Sequence, residues 1–451
     1  MSDLTRRNLV KGATLATALS YSRIHGANGR VGVGYIGVGN RGDQVHDAFL
    51  EHGDQQTVAL CDLREDYMDF AVKKSRATPK KYKEYKKLIE DKDVEAVVIA
   101  TPDHWHALMF IDACNAGKDV YVEKPLSLTV AEGRKMVDTA ERTKRVVQVG
   151  TNRRSWKTMK EAADFVRGGG IGHVSAARCF HVKNEWPVGL GAAPDGPPPS
   201  EQEWDQWLGP APKVPYSANR TYYNFRWFYN YSGGQLTNFG VHFLDVIRWI
   251  IGQDSPRSVT AMGGKYAGIK DNREIPDTLQ VLWEFDGTLV AFEQYNANGA
   301  PGNAPGSEIE LRGTKGTMYI RNSTWEVVPE KIGDFPLGYA GGKGYGTPLN
   351  RGTAGLQGAS MKTQIEPRKA TAGASDTTAH TRNFLDCIKS RGKCNADILT
   401  GHLSTSATLI GNIAHKTRSM LEWDAKAERF TNNAAANRFL SYQYRAPYKL
   451  G

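Results

Sequence analysis

Short apolar runs alternate with amphipathic segments between residues 31 and 150. Nearly every position in the apolar runs is hydrophobic, which is typical of strands buried on both faces of a parallel sheet. The segments between them carry apolar residues three and four positions apart, as amphipathic helices do. We therefore expect strands at residues 30–36, 57–61, 96–100, 119–122 and 146–149. Helices are expected at residues 43–52, 82–90, 107–116 and 130–142.

The pattern changes after residue 150, where longer apolar runs read as antiparallel strands. The dipeptide Asp286-Gly287 between two of them favours a hairpin turn. Residues 187–215, rich in Pro and Gly, should form a long loop that Trp204 and Trp207 hold to the surface. Residues 332–375, rich in Gly, should form another. Strands are expected at 174–182, 259–262, 278–285, 289–296, 308–312 and 316–321, and helices at 159–167, 239–251, 378–390 and 402–419.

These elements predict an α/β protein with two domains. Residues 31–150 should form a parallel-sheet domain, and residues 151–451 a second α/β domain with a mostly antiparallel sheet. The chain has 451 residues, of which 40% are hydrophobic, so two or three domains with sizeable cores are possible. It contains no run of about 18 apolar residues, so we expect no transmembrane span.

The first thirty residues follow neither pattern. Thr5-Arg6-Arg7-Asn8-Leu9-Val10-Lys11 is a twin-arginine pattern, and a weakly apolar stretch follows at residues 12–21. We expect residues 1–30 to be a twin-arginine export signal. The mature chain would then be periplasmic or otherwise exported. A basic surface helix is the alternative interpretation.

Charge and cysteine content exclude some classes of protein. The net charge of +10 is dispersed, and the lysine-rich segment 80–87 has no nucleic-acid motif beside it, so a solvated helix face is expected there. Five cysteines argue against a disulfide framework in an exported chain. Cys387 and Cys394 could pair, although their spacing does not require it. Nothing resembles a zinc motif, and we expect no metal site.

A glycine fingerprint joins the first expected strand to its helix. In Gly37-Val38-Gly39-Asn40-Arg41-Gly42, the first glycine permits a tight turn, the second lets the backbone approach a pyrophosphate, and the third lets helix pack on strand. Asp62 follows at the end of the second strand. A carboxylate at this position accepts hydrogen bonds from the ribose hydroxyls and repels a 2′-phosphate. The sequence therefore predicts a Rossmann domain that binds NAD. Arg64 keeps NADP open as the less favoured cofactor.

Three further motifs occur in order along the chain. Thr101-Pro102-Asp103-His104-Trp105-His106 follows one expected strand, and Glu123-Lys124-Pro125 follows the next. The third is Gly233-Gly234-Gln235-Leu236-Thr237-Asn238-Phe239-Gly240-Val241-His242-Phe243-Leu244-Asp245. Over residues 31–450 the chain resembles the glucose–fructose oxidoreductase/inositol dehydrogenase/MocA family. The resemblance implies a Rossmann domain, a C-terminal α/β domain with a mostly antiparallel sheet, and an active site between them.

The resemblance also implies roles for individual residues. Lys124 would contact both the nicotinamide ribose and a substrate hydroxyl, and the Lys124-Pro125 bond would be a candidate for the cis form. His242 matches the family's general acid/base. Four motif residues are expected beside the cofactor, together with the fingerprint residues: Thr101, Pro102, His106 and Glu123.

The chain departs from the family pattern at Asn238, where many members carry an aspartate. An amide can neither take a proton nor raise the pKa of an imidazole. Asp245, about one turn after His242, either substitutes in part or is a surface or capping carboxylate. Candidate substrate-binding groups are Arg153, Arg154, Trp156, Arg226, Asn238 and His242. Packing between domains or subunits is the alternative for the arginines and aromatics.

Three functions fit these residues. The first is an NAD(P)-dependent oxidoreductase that moves a hydride between a carbohydrate or polyol carbon and nicotinamide. The second is a redox-neutral sugar enzyme, a glycosidase, lyase or sugar–sugar oxidoreductase, with a tightly bound and recycled NAD. The third is a non-catalytic sugar- or cofactor-binding protein. We expect a homodimer or homotetramer and no nucleic-acid partner, while the sugar, the carbon and the direction stay open.

Overall fold

The computed structural model describes residues 29–332, 362–370, 373, 375 and 377–451. The expected export signal lies outside the described residues, apart from residues 29 and 30, and so does most of the expected loop at 332–375. Within the described ranges, no helix has both the length and the apolar character that crossing a bilayer requires.

The first sheet has six strands, all parallel. Its strands are β1 (Val31–Ile36), β2 (Gln55–Cys61), β3 (Lys80–Tyr82), β4 (Ala96–Ile99), β5 (Asp119–Val122) and β6 (Val147–Val149). The spatial order is β3-β2-β1-β4-β5-β6, which is the strand order of the Rossmann fold. Its helices are α1 (Asn40–Leu50), α2 (Glu65–Lys74), α3 (Tyr85–Glu90), α4 (Asp103–Asn115) and α5 (Val130–Thr143).

The second sheet has eleven strands and is antiparallel except where its two central strands pair. Its main strands are β7 (Val174–Asn184), β8 (Ser258–Gly264), β9 (Thr278–Phe285), β10 (Thr288–Tyr295), β12 (Ile309–Gly313), β13 (Gly316–Arg321) and β14 (Thr324–Pro329). Shorter strands are β11 (Ala297–Asn298), β15 (Lys331–Ile332), β16 (Lys362–Thr363), β17 (Arg368–Lys369), β18 (Leu421–Asp424) and β19 (Arg429–Phe430), of which β15 and β16 pair apart from this sheet. The predicted fold class is confirmed.

The expected loop at 187–215 contains a helix, α7 (Glu201–Leu208), so the expectation of an unbroken loop was wrong. Ser200 caps it by accepting the N–H of Glu203 at 3.3 Å. Trp204 and Leu208, one turn apart, are buried in a small apolar cluster with residues 227–231. A helix of 8 residues has too few positions for a helical period to be recognised among the surrounding Pro and Gly residues.

The remaining helices are α6 (Lys157–Arg167), α8 (Val241–Ile251), α9 (Thr378–Ser390) and α10 (Ile398–Thr417). A single π-helical turn, Leu236–Gly240, leads into α8. Helix α9 returns to the first sheet, where the ring of Phe384 meets those of Phe49 and Tyr121 edge-on at 6.2 and 6.1 Å. Helix α10 lies against the second sheet, and the Trp283 indole donates to the Ala407 carbonyl at 2.9 Å.

Candidate active site

The glycine fingerprint forms a tight turn between β1 and α1. Gly37 has φ +83°, and a Cβ there would lie 2.7 Å from the Ala100 carbonyl oxygen. A Cβ on Gly42 would lie 2.0 Å from the Gly37 oxygen, so only glycine lets helix and strand approach this closely. No side chain caps the start of α1, which leaves backbone N–H groups for an anion. The turn therefore fits a dinucleotide pyrophosphate.

The carboxylate of Asp62 stabilises the same turn. Its Oδ2 accepts the N–H of Val38 at 2.9 Å, and its Oδ1 accepts the N–H of Arg64 at 2.9 Å. Burial raises the pKa of Asp62, and these two hydrogen bonds oppose that shift. The guanidinium of Arg64 is paired with Asp66 and lies 5.3 Å from the ring of Tyr222. Asp62 and Arg64 both line the cleft that the turn opens into.

That cleft is a cavity of about 620 Å³. One wall is the carboxyl edge of the first sheet. The opposite wall comes from later segments of the chain. These segments reach across the glycine turn and Asp62, which together form the dinucleotide cradle. These cover residues include Pro198, Ser200, Trp204, Trp207, Tyr216, Tyr222, Tyr223, Phe225, Pro447 and Tyr448. The cavity is therefore formed by both halves of the chain.

Lys124 is half-buried at the junction of the two walls, and the peptide bond that joins it to Pro125 is cis. Its Nζ donates to Oδ1 of Asn238 at 2.7 Å and to the Asn238 backbone oxygen at 3.0 Å. That backbone oxygen belongs to the π-helical turn, a feature that often occurs at functional sites. Burial lowers the pKa of Lys124 to about 8; Glu123 opposes this shift and Arg226 adds to it. The amine can therefore exchange a proton near neutral pH.

Glu123 is buried beside Lys124 and binds Arg41. The guanidinium Nε of Arg41 donates to Glu123 Oε1 at 2.9 Å, and its Nη2 donates to Thr377 at 3.1 Å. The hydroxyl of Tyr121 lies 3.4 Å from the same carboxylate oxygen. Arg41 thus balances the charge of Glu123, and both residues line the cavity.

His106 holds the two cofactor-side loops together and does not face the cavity. Its Nδ1 lies 2.8 Å from the Pro125 carbonyl oxygen, and its Nε2 lies 2.9 Å from that of Thr101. Both ring nitrogens are thus engaged by backbone oxygens, and the expected contact of His106 with the cofactor stays a prediction. Thr101 and Pro102, by contrast, line the cavity as expected.

His242 is half-buried and is not among the residues that line the cavity. Burial holds the pKa of its imidazole well below the usual value, and the charge of Lys124 lowers it further. Its Nδ1 is enclosed, and no group in the described part of the chain hydrogen-bonds to it. The ring is therefore neutral in this arrangement.

Asp245 does not reach His242, so the expected assistance to that histidine is contradicted. Both carboxylate oxygens accept the Nε of Arg154, at 2.9 and 2.8 Å, and Oδ1 also accepts the Ser404 hydroxyl at 2.6 Å. Asp245 is fully buried, so it is not a surface or capping carboxylate either. The helix turn that separates it from His242 directs it into the second domain.

Arg153, Arg154 and Trp156 likewise face away from the cavity. A 3₁₀ turn over residues 152–155 directs them into the second domain. Arg153 pairs with Glu308 at 2.8 Å, Arg154 pairs with Asp245, and the Trp156 ring is part of the second-domain core. These contacts all lie within the second domain, whereas the alternative interpretation was packing between domains or subunits.

Arg226 and Asn238 do line the cavity. The Arg226 guanidinium lies 3.7 Å from the centre of the Tyr223 ring and donates to the backbone oxygen of that residue. Burial lowers the pKa of Arg226. Asn238 donates through Nδ2 to Gln235 at 3.0 Å, which fixes its Oδ1 toward Lys124. These two residues are the substrate-side candidates that the structure brings to Lys124.

Among the residues of this site that the sequence analysis missed are the polar residues Asp103 and Ser232 and the tail residues Pro447 and Tyr448. Asp103 stands inside the motif that follows β4, so its position was visible. Its burial against Ser232, 129 residues later, was not. Within the described residues, no group of three or more His, Cys, Asp or Glu is arranged to hold a metal ion.

Sequence profiles identify the family. The profile described as "Oxidoreductase family, NAD-binding Rossmann fold" matches residues 31–151. A profile described as "Oxidoreductase family, C-terminal alpha/beta domain" matches residues 135–267 and 347–450, and a second of the same description matches residues 204–395. The chain belongs to the Gfo/Idh/MocA family of oxidoreductases.

Relatives with curated names match one segment of the chain. A "Glycosyl hydrolase family 109 protein 1" of Shewanella sp. (strain ANA-3) is 36% identical over 160 residues. An "Alpha-N-acetylgalactosaminidase" of Shewanella oneidensis is also 36% identical over 160 residues. Each match covers 34% of this chain and 35% of the relative, so the chain spans about a third of the length of these relatives.

Solved structures of this fold cover most of the chain. A levoglucosan dehydrogenase in complex with NADH and levoglucosan superposes with a TM-score of 0.61 at 17% identity, over 87% of this chain and 99% of the other. The scyllo-inositol dehydrogenase of Lactobacillus casei gives a TM-score of 0.57 at 18% identity, over 87% and 98%. At these identities the likeness establishes the fold.

Proposed function

We propose that this family member transfers a hydride between a hydroxyl-bearing carbon of a carbohydrate or polyol and a nicotinamide cofactor. The observation that carries the proposal is the position of Lys124. Its amine lies in the same cavity as the dinucleotide cradle, held by two oxygens of Asn238 and having a pKa of about 8.

The residues of the cradle fit a dinucleotide. The Gly37 turn and the open start of α1 suit a pyrophosphate, and Asp62 favours an unphosphorylated ribose, so NAD is the proposed cofactor. When bound, the nicotinamide supplies the hydride acceptor or donor. Lys124, Glu123 and Arg41 would lie beside it, since they line the same cavity.

Lys124 supplies the polar chemistry in this proposal. Its ammonium form donates a hydrogen bond to the substrate oxygen and stabilises the negative charge that grows there as the C–H bond breaks. Asn238 orients the amine, because both of its oxygens accept from Nζ. The aromatic residues Tyr223 and Phe225 of the opposite wall offer faces for the C–H side of a sugar ring.

Replacement of Lys124 tests this function. Lys124→Met keeps the length of the side chain and removes the amine, so turnover should fall by ~10²–10⁴-fold while NAD binding persists. Lys160→Met changes an exposed lysine on α6 that pairs with Asp164, and serves as the control. Turnover is measured with a panel of C–D-labelled sugars as deuterium transfer to the cofactor, and NAD binding by tryptophan fluorescence. Full turnover in Lys124→Met would refute the proposal.

A redox-neutral reaction with a retained cofactor is the second candidate. The cavity favours it, because segments from outside the Rossmann domain cover the cradle and Arg64 lies against Tyr222 across the cleft. The partial similarity to glycosyl hydrolase family 109 proteins also supports it. Protein that keeps nicotinamide absorbance after dialysis and converts a glycoside without net NADH release would establish this candidate. A simple dehydrogenase would lose cofactor and accumulate NADH.

We also propose that the chain is exported and forms homo-oligomers. Export rests on Arg6 and Arg7, and a double Lys replacement should leave the chain in the cytoplasm. The outer face of the second sheet exposes the apolar side chains of Met262, Leu282 and Leu289. A mass near 50 kDa by light scattering would refute oligomerisation, since one chain weighs 49.7 kDa.

A further inference from the structure

One buried carboxylate in the cavity has no role so far. Asp103 is the first residue of α4 and is buried, yet it lines the cavity. The Ser232 hydroxyl donates to its Oδ2 at 2.5 Å. Within the described residues, no protein group donates to the other oxygen, Oδ1, and that atom is not sealed away from the cavity. Asp103 therefore presents one unpaired oxygen to whatever occupies the cleft.

The charged or titratable groups around Asp103 come from three segments of the chain. Lys124 follows β5, Arg226 belongs to the cover over the cavity, and His106 lies one turn further along α4. Burial raises the pKa of Asp103, while these three groups and the Ser232 hydroxyl oppose the shift. A carboxyl group with a raised pKa holds a proton more readily than an ordinary aspartate does, which suits a proton carrier.

The family's usual proton carrier is not placed for this task here. His242 does not line the cavity, its imidazole is held neutral by burial and by nearby cations, and Asn238 stands where an aspartate would support it. Glu123 is bound by Arg41. Near the amine of Lys124, Asp103 is thus the acidic side chain of the described cavity with an oxygen left for a substrate.

We propose that Asp103 accepts the hydroxyl proton of the substrate. This inference rests on the proposed hydride transfer. In the oxidation direction the substrate O–H bond breaks and its proton moves to Asp103 Oδ1, while the O–H electron pair forms the new C=O bond. The C–H electron pair leaves with its hydrogen as hydride to an oxidised nicotinamide dinucleotide. Lys124 stabilises the oxygen throughout and keeps its own proton.

The test compares Asp103→Asn with wild-type holoenzyme across pH. The rise of kcat/KM with pH should report ionisation of Asp103, and in Asp103→Asn this limb should vanish and turnover should fall by ~10²-fold or more. Ser232→Ala should move the limb to higher pH, because its hydroxyl stabilises the ionised carboxylate. Asp112→Asn is the matched control, since Asp112 lies on the same helix but outside the cavity, bound by Tyr85 at 2.7 Å.

A spectroscopic readout separates this inference from the proposed function. Infrared difference spectra of the NAD-loaded protein should show a protonated-carboxyl band that titrates in wild type and is missing in Asp103→Asn and shifted in Asp103→Glu. Identical carboxyl titrations in wild type and Asp103→Asn would overturn the role of Asp103, and so would an unchanged pH limb. Absence of hydride transfer from every sugar in wild type would instead overturn the proposed function, whatever the band shows.

Discussion

Replacement of Asp245 gives the sharpest test of how the second domain is built. The side chain of Asp245 is 1% exposed and that of Arg154 is 13% exposed, and the two meet through both carboxylate oxygens. Asp245→Asn keeps the shape of the side chain but leaves the Arg154 guanidinium without its counter-charge. Removing one partner of a buried pair costs about 3–5 kcal/mol. The folded-to-unfolded ratio should therefore fall by about two to four powers of ten.

The assay is urea unfolding followed by tryptophan fluorescence, with Asp254→Asn as the control. Asp254 also faces an arginine, Arg248 at 3.5 Å, but its side chain is 90% exposed, so that pair should contribute about 0–1 kcal/mol. Folded Asp245→Asn should keep its turnover per molecule, because Asp245 touches neither the cavity nor His242. The reasoning is refuted if Asp245→Asn is as stable as Asp254→Asn, or if it is stable and inactive.

Three further predictions concern the cleft. Asn238→Asp places a carboxylate 2.7 Å from Lys124 Nζ. In the wild type, the rate of carbonyl reduction should fall above pH 8, where Lys124 loses its ammonium proton. In Asn238→Asp this fall should occur about one pH unit or more higher. An unchanged pH profile would contradict the assignment of the fall to Lys124. Asp62→Ser keeps a hydrogen-bond acceptor but removes the charge, so the ratio of NADP to NAD affinity measured by calorimetry should rise at least ~10-fold. Gly209→Ala should lower the melting temperature, since Gly209 has φ +50° and a Cβ there would lie 2.1 Å from the Trp105 ring; an equal melting temperature would show that this contact relaxes freely.

The dinucleotide half of the site was predictable because its determinants are local. The positions of Gly37 and Gly42 fix a turn through steric contacts within a few residues, and Asp62 follows from the end of the next strand. Apolar runs with strand length and helical spacing likewise predicted the first sheet. The short strand β3 was missed, because two of its three residues are exposed lysines and its pattern is polar.

The substrate half was less predictable because its determinants are distant contacts. Arg154 and Asp245 lie 91 residues apart, and their pairing decides that neither faces the cleft. Asp103 and Ser232 lie 129 residues apart and meet between the two domains. A single sequence carries no local signal for such contacts. The residue types therefore suggested which chemistry was possible, but the orientation of the side chains in the fold decides which residues can perform it.

Helix α9 has a consequence for synthesis of the chain. The face of the first sheet that carries Tyr121, together with Phe49 of α1, is covered by Phe384, Leu385 and Ile388. On the ribosome, this face stays open after residue 149 until some 240 further residues have emerged, a delay of roughly 10–50 s at ordinary elongation rates. During that interval the nascent Rossmann sheet exposes an apolar surface that α9 covers in the finished fold.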